Sequence, residues 1–192
     1  MMLAFAEIRR ARGRFISIIG ALALITFLVL TLSALSDGLF YGSTGAYRSS
    51  NANGYAFSSD AEGSLIRSRV PVTDVAKYQQ IPGVTKASGV GVLLSSGTGP
   101  NGELDLAVFG IEPGGAGVPT TLTSGRLPEP GEDNAAAVDK TVVDKGAGIG
   151  STIKVGDRAV TVVGVTQDSN YQLQPTIWTT VPTWRAMQSS VR

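Results

Sequence analysis

The sequence predicts an α+β fold: one N-terminal transmembrane helix followed by a mixed extracytoplasmic domain of short strands and a few helices. Three observations carry this. Residues 15–35 form a run without charge or proline. After about residue 90, apolar and β-branched runs alternate with Gly- and Asp-containing turns. Helix punctuation is confined to short stretches, residues 71–83 and 141–146.

Residues 15–35 read FISIIGALALITFLVLTLSAL. As a helix this run is about 31 Å long, which matches a hydrocarbon core of ~30 Å. A helix satisfies its own backbone hydrogen bonds in lipid. Ser17, Thr26, Thr31 and Ser33 can bond back to their own helix. Arg9, Arg10, Arg12 and Arg14 precede the run, opposed only by Glu7. Basic flanks stay on the cytoplasmic side, so the expected topology is a cytoplasmic N-terminus (residues 1–14), a span (15–35) and an extracytoplasmic region (36–192). The chain is thus expected in the plasma or inner membrane, with the lipid bilayer as a partner. Leu3, Phe5, Ala6 and Ile8 suggest a short interfacial helix ahead of the span. Two alternatives compete: a signal peptide cleaved near Ala34-Leu35-Ser36, and a buried core helix. The apolar run is long for the first and apolar on every face for the second.

Residues 38–55 are rich in Gly, Ser, Asn and Tyr and read as a link, with a first strand around Gly54 to Ser58. Residues 71–83 form a short helix, capped by Thr73 or Asp74 and stopped by Pro82-Gly83. Residues 90–94 and 104–111 make a β-hairpin around GTGPNG, with a loop longer than two residues. Residues 114–126 are turn-rich, 135–138 a short strand and 141–146 a helical turn. Residues 152–155 and 159–165 are strands joined by a tight turn at Gly156-Asp157-Arg158, and residues 171–180 supply a last strand.

Composition excludes much chemistry. The 192 residues contain no Cys and no His, so disulfides, thiolate zinc sites, imidazole metal sites and a Ser-His-Asp triad are absent. A net charge of +1 leaves no basic footprint for nucleic acid. Charged residues are 16%, below the roughly 25% of soluble domains. The acidic run Glu129, Glu132, Asp133 and Asp139 lacks EF-hand spacing and reads as a solvated turn. No motif singles out a Ser-Lys pair, and no glycine-rich piece is followed by Gly-Lys-Ser/Thr. Trp178, Trp184 and Tyr171 offer either a ligand platform or aromatic packing. No residue is nominated as catalytic, cofactor-binding or metal-binding, no cofactor is expected, and the chain is read as not an enzyme.

The order of local motifs adds a family. LAFAEIRRARGRF runs into the span, and YQQIPGVTKAS (78–88) looks like a helix–Pro-Gly-Val–strand element. LAVFGIEPG (106–114) looks like a strand ending in a Gly-Ile-x-Pro turn. SGRLPEPGEDNAAAVDKTVVDKGAGIGSTIKVGDRAVTVVGV (124–165) carries the most distinctive stretch. In these the chain resembles the FtsX-like permeases of ABC transporters, in the branch with a MacB-like extracytoplasmic core domain. The resemblance implies a permease subunit that works as a dimer with a cytoplasmic ATP-binding subunit. Its outer domain would couple ATP-driven motion to export of lipoprotein, peptide or drug-like cargo. Such permeases have four membrane helices, whereas no second, third or fourth apolar run is present here, so an incomplete or split permease is expected. The alternative is a single-pass anchored binding or adaptor domain without transport activity.

Overall fold

The computed structural model describes residues 11–191. Arg9, Arg10 and the interfacial helix expected around Leu3 to Ile8 lie outside the described residues. The chain divides into two compact units, the first ending at Phe40 and the second beginning at Tyr41.

The first unit consists of most of helix α1, Arg12–Arg48. Ile19, Leu24, Phe27, Leu30 and Leu35 are all exposed on a helix that is apolar around its whole circumference, the pattern of a membrane span. The helix is long and apolar enough to cross a membrane. Ser17 Oγ donates to the Gly13 carbonyl and Thr31 Oγ1 to that of Phe27, both at 2.8 Å, so these hydroxyls are satisfied within the helix. The link expected from residue 38 is instead helical as far as Arg48. That stretch contains no proline, and its final turns, from Tyr41 onward, pack within the second unit.

The second unit is a mixed sheet. Its elements are a 3-10 turn (Val72–Asp74), α2 (Val75–Gln79), β1 (Gly91–Gly99), β2 (Gly102–Ile111), β3 (Leu122–Gly125) and β4 (Ala135–Asp139). There follow α3 (Lys140–Asp144), β5 (Thr152–Val155), β6 (Arg158–Thr166), β7 (Thr176–Thr180) and α4 (Val181–Ser190). Strand order is β3-β6-β4-β7-β2-β1-β5, and β5 pairs back onto β6. Six strands therefore close a ring, with β3 added to β6 beyond β5. Pairs β2–β7 and β4–β6 are parallel; the other pairs are antiparallel.

Strand alternation sorts the apolar residues into two clusters. Leu104, Leu106, Val108, Val138, Ile153, Val155, Val160, Val162 and Ile177 form one, closed by Met187 of α4. Ala107, Phe109, Ile111, Ala137 and Trp178 form the other, together with Ala46, Val92, Val118 and Tyr171. β2 and β7 contribute to both clusters, which explains why Thr176–Thr180 is buried throughout.

Four local readings are corrected. Residues 54–58 are not a strand; Ser58 accepts from Arg69 N at 3.2 Å and Ser68 Oγ accepts from Ser58 N at 2.9 Å, so side chains replace ladder partners there. The β1–β2 loop is only Pro100-Asn101, because pairing continues to Gly99↔Gly102. The last strand starts at Thr176, and residues 171–174 form a turn closed by Tyr171 N to Gln174 O at 2.9 Å. Helix α4 was not anticipated, although Thr180 caps it and Pro182 stands in its first turn. Its Trp184 lies across the paired Gly91 and Gly110. A Cβ on Gly110 would sit 2.5 Å from that of Trp184, so the glycine pair makes room for the indole.

Candidate functional site

The second unit begins with an unusual helix end. Residues 41–48 read YGSTGAYR, with glycines at 42 and 45. A glycine inside a helix costs about 1 kcal/mol relative to alanine, so a reason is needed for both. They are three residues apart and share a face. On that face lies the β6–β7 loop, residues 167–175. A Cβ on Gly45 would sit 2.6 Å from Asp168 O and 2.8 Å from both Asn170 N and Asn170 O. A Cβ on Gly42 would sit 2.8 Å from Leu173 Cδ2.

Hydrogen bonds hold this approach. Ala46 N donates to Asn170 O at 2.9 Å, Gln172 N to Ser43 O at 3.1 Å and Leu173 N to Gly42 O at 3.1 Å. Gly42 O and Ala46 N are the two ends of one i,i+4 helical link, and the loop engages both. A second loop holds the residues just past the helix. Thr120 N and Oγ1 donate to Ser49 O at 2.6 and 2.9 Å. The Asn51 side chain donates to Gly115 O at 3.0 Å and accepts from Gly117 N at 2.7 Å and Val118 N at 3.0 Å. The helix end is thus seated in a socket of two loops.

Asp139 secures the first loop. It caps α3 and is only 2% exposed. Its Oδ1 accepts from Thr141 N at 2.9 Å and Thr141 Oγ1 at 2.7 Å. Its Oδ2 accepts from Ser169 N at 2.9 Å and Ser169 Oγ at 2.7 Å. Ser169 Oγ also lies 2.9 Å from the hydroxyls of Thr166 and Thr176. A buried carboxylate is tolerated only with such partners, and here both oxygens have two. The network joins the ends of β4, β6 and β7 to the middle of the loop.

An aromatic chain links the socket to the sheet. Tyr47 meets Tyr55 and Tyr171 edge-on at 5.0 and 5.6 Å, Tyr171 meets Phe109 at 5.4 Å, and Phe109 meets Trp178 at 4.6 Å. Burial pushes the Tyr55 hydroxyl pKa up, against an opposing hydrogen bond with Ser50. Trp178 and Tyr171 therefore belong to the packing of one cluster, whereas Trp184 packs against the other; the three do not build a platform.

The acidic run is not brought together. Arg126 chelates Glu132 through two bonds of 2.6 and 2.7 Å on the surface, Glu129 lies beside this pair, and Asp139 is buried in its own network. The Arg126 guanidinium, helped by the Glu129 amide, holds the Glu132 pKa down at about 2. Among the described residues, no group of three or more Asp or Glu is placed to hold a metal ion. The socket itself was not read from the sequence. Its one local signal was the pair of small residues at helical spacing beyond the charge-free run, a pattern that permits close backbone approach.

Comparison with known proteins supplies the family. Two strain versions of an ABC transporter permease of Mycobacterium tuberculosis, itself uncharacterized, are each 27% identical to this chain over 170 residues. The match covers 86% of this chain and 46% of each relative, so the chain spans about half the length of the curated relatives it matches. The extracellular domain of the noncanonic ABC-type transporter YknZ from Gram-positive bacteria shares the fold, with a TM-score of 0.51 and 16% identity. That match covers 61% of this chain and 65% of the other. The MacB-like periplasmic core domain matches residues 15–192, nearly the whole sequence, and the chain belongs to that family.

Proposed function

We propose that this chain is the N-terminal part of an ABC-transporter permease whose outer domain couples ATP-driven motion to export of a lipoprotein, peptide or drug-like cargo. In this reading α1 crosses the membrane with its N-terminus in the cytoplasm, and the domain from Tyr41 onward lies outside. A cytoplasmic ATP-binding subunit supplies the energy, and the permease acts as a dimer. The role of the domain is mechanical. The observation that carries this is the socket: Gly42, Ser43, Gly45 and Ala46, on the same helix as the apolar span, are gripped by main-chain contacts to the sheet domain. Family membership supports it.

The test is to tag the chromosomal gene in its native host and purify its product from membranes in mild detergent. An ATP-binding subunit should copurify. The chain has no cysteine, so a single Asp60→Cys reports topology cleanly. It should react with an impermeant maleimide on intact cells. Failure of the ATP-binding subunit to copurify, or labelling only after lysis, refutes the reading. A second reading, a single-pass anchored binding or adaptor domain, draws on the ring of six strands closing on itself. It predicts surface labelling at residue 60 without any copurifying ATP-binding subunit.

A further inference from the structure

Among the described residues, the non-glycine positions with positive φ are Glu62, Asp168, Gln172 and Leu173. Three of these four lie in the single loop that grips the helix end. Their φ values are 53°, 50° and 65°. Asp tolerates this left-handed region through its short polar side chain, but Gln and Leu do not favour it. Such conformations persist only where surroundings over-determine them. Here the surroundings are identifiable. On one side, Gln172 N and Leu173 N are bonded to helix carbonyls. On the other, Ser169 is fixed through its amide and hydroxyl to the buried Asp139 carboxylate. Leu173 is moreover 58% exposed, so burial of its side chain does not account for its backbone geometry.

We propose that the β6–β7 loop is a strained latch, sprung by its left-handed residues and held shut by Asp139, whose release frees the Gly42–Ala46 stretch of α1 from that loop. The proposal rests on the mechanical reading of the socket and adds the element that would switch. Asp139 bonds to Thr141 and Ser169 and is a positioning residue that acts through Ser169. Release from this loop opens the Asp139–Ser169 pair, the Ala46–Asn170 bond, the bonds from Gln172 and Leu173 to the helix carbonyls and the Tyr47–Tyr171 ring contact, while the bonds of Ser49 and Asn51 to the second loop stay closed. None of them breaks a strand ladder, so the ring of strands can remain intact while the latch moves. Elements that move in this way are drawn from the least stable hydrogen-bonded parts of a fold.

Amide hydrogen exchange on the full chain in lipid nanodiscs tests this. Asp139→Asn weakens the acceptor while keeping its shape. It should speed exchange at Ala46, Gln172 and Leu173 by about tenfold or more, as expected from losing charge-assisted bonds. Amides in the β1–β2 ladder, such as that of Val108 opposite Leu93, should keep their rates. Gln172→Gly relieves the left-handed strain at an exposed position and should slow exchange at Ala46 and Leu173 severalfold. Should Asp139→Asn fail to fold, Ser169→Ala, which leaves the Ser169 amide bond to Oδ2, should give the same local acceleration. Unchanged rates at the three amides overturn the latch. So does equal acceleration across the β1–β2 ladder, which would make Asp139 a general core residue. Faster exchange in Gln172→Gly also overturns it, because the loop would then carry no strain. The measurement needs neither ATP nor a partner subunit. A negative result removes the latch and leaves the permease reading standing, whereas failed copurification removes the permease reading and leaves the exchange result intact.

Discussion

The sharpest test of the socket is Gly45→Ala. In an ordinary helix this exchange stabilises by about 0.5–1 kcal/mol, because alanine loses less conformational freedom. Here the added methyl carbon would meet Asp168 O at 2.6 Å and Asn170 N and O at 2.8 Å. All three are backbone atoms, so no side chain can rotate away. The loop cannot retreat freely, since the Ala46–Asn170 bond, the Gln172 and Leu173 amides and Asp139 all tether it. Overpacking costs about 1–3 kcal/mol. Each main-chain hydrogen bond lost on retreat costs about 0.5–1.5 kcal/mol. After subtracting the helix gain, the expected net loss is about 2 kcal/mol, or about 6 °C in the melting temperature of a domain this size. The assay is tryptophan fluorescence during thermal unfolding of the full chain in detergent. Both tryptophans, Trp178 and Trp184, lie in the sheet domain and report on nothing else. Gly38→Ala is the control, because a Cβ at Gly38 meets nothing within 4 Å. If Gly45→Ala proves as stable as the parent, the main-chain contact is absent and the socket is wrong.

Two further outcomes are expected. Asn51→Ala removes the acceptor of the Gly117 and Val118 amides and the donor to Gly115 O, so it should destabilise the domain by about 2–3 kcal/mol in the same melting assay. Glu132 should titrate near pH 2 by carbon-detected NMR, and Arg126→Ala should return it toward the ordinary glutamate range. Its folded-state pKa is depressed, so the pair's contribution to stability is present above about pH 4.5 and is lost as pH falls toward 2. The contribution is small, because the pair is exposed and screened.

How much was legible depended on where each signal resides. The β5–β6 hairpin was read to within a residue, because alternating β-branched residues and a Gly-Asp turn are local features. Strand β4 and helix α3 were read for the same reason, with Asp139 supplying both the end of a strand and a helix cap. The apolar helix was evident from composition alone. Helix α4 escaped because its cap and proline are short signals, and its anchor, Trp184 over Gly91 and Gly110, unites residues from three separate elements. The extension of α1 to Arg48 escaped because its Gly- and Ser-rich wording argues for a link; tertiary contacts override that propensity. The burial of Asp139 escaped because its partner Ser169 is 30 residues distant in sequence, and Ser169 is in turn tied to Thr176.

The socket was invisible to a search for chemistry because its grip is made mostly by backbone atoms, which every residue type carries. That same property bears on what it does. A cluster of side chains can recognise a ligand, but main-chain bonds at Gly42, Ser43 and Ala46 recognise a position. Successive helix residues differ by about 100° in direction. A register shift of one residue would turn these groups away from the loop and bring a side chain against Asp168 O. The contact therefore fixes both the rotation of the helix end about its axis and its advance along that axis. A flexible tether needs neither constraint. A helix end whose movement is to be felt by the sheet domain needs both, which is what the mechanical role proposed above requires of the socket.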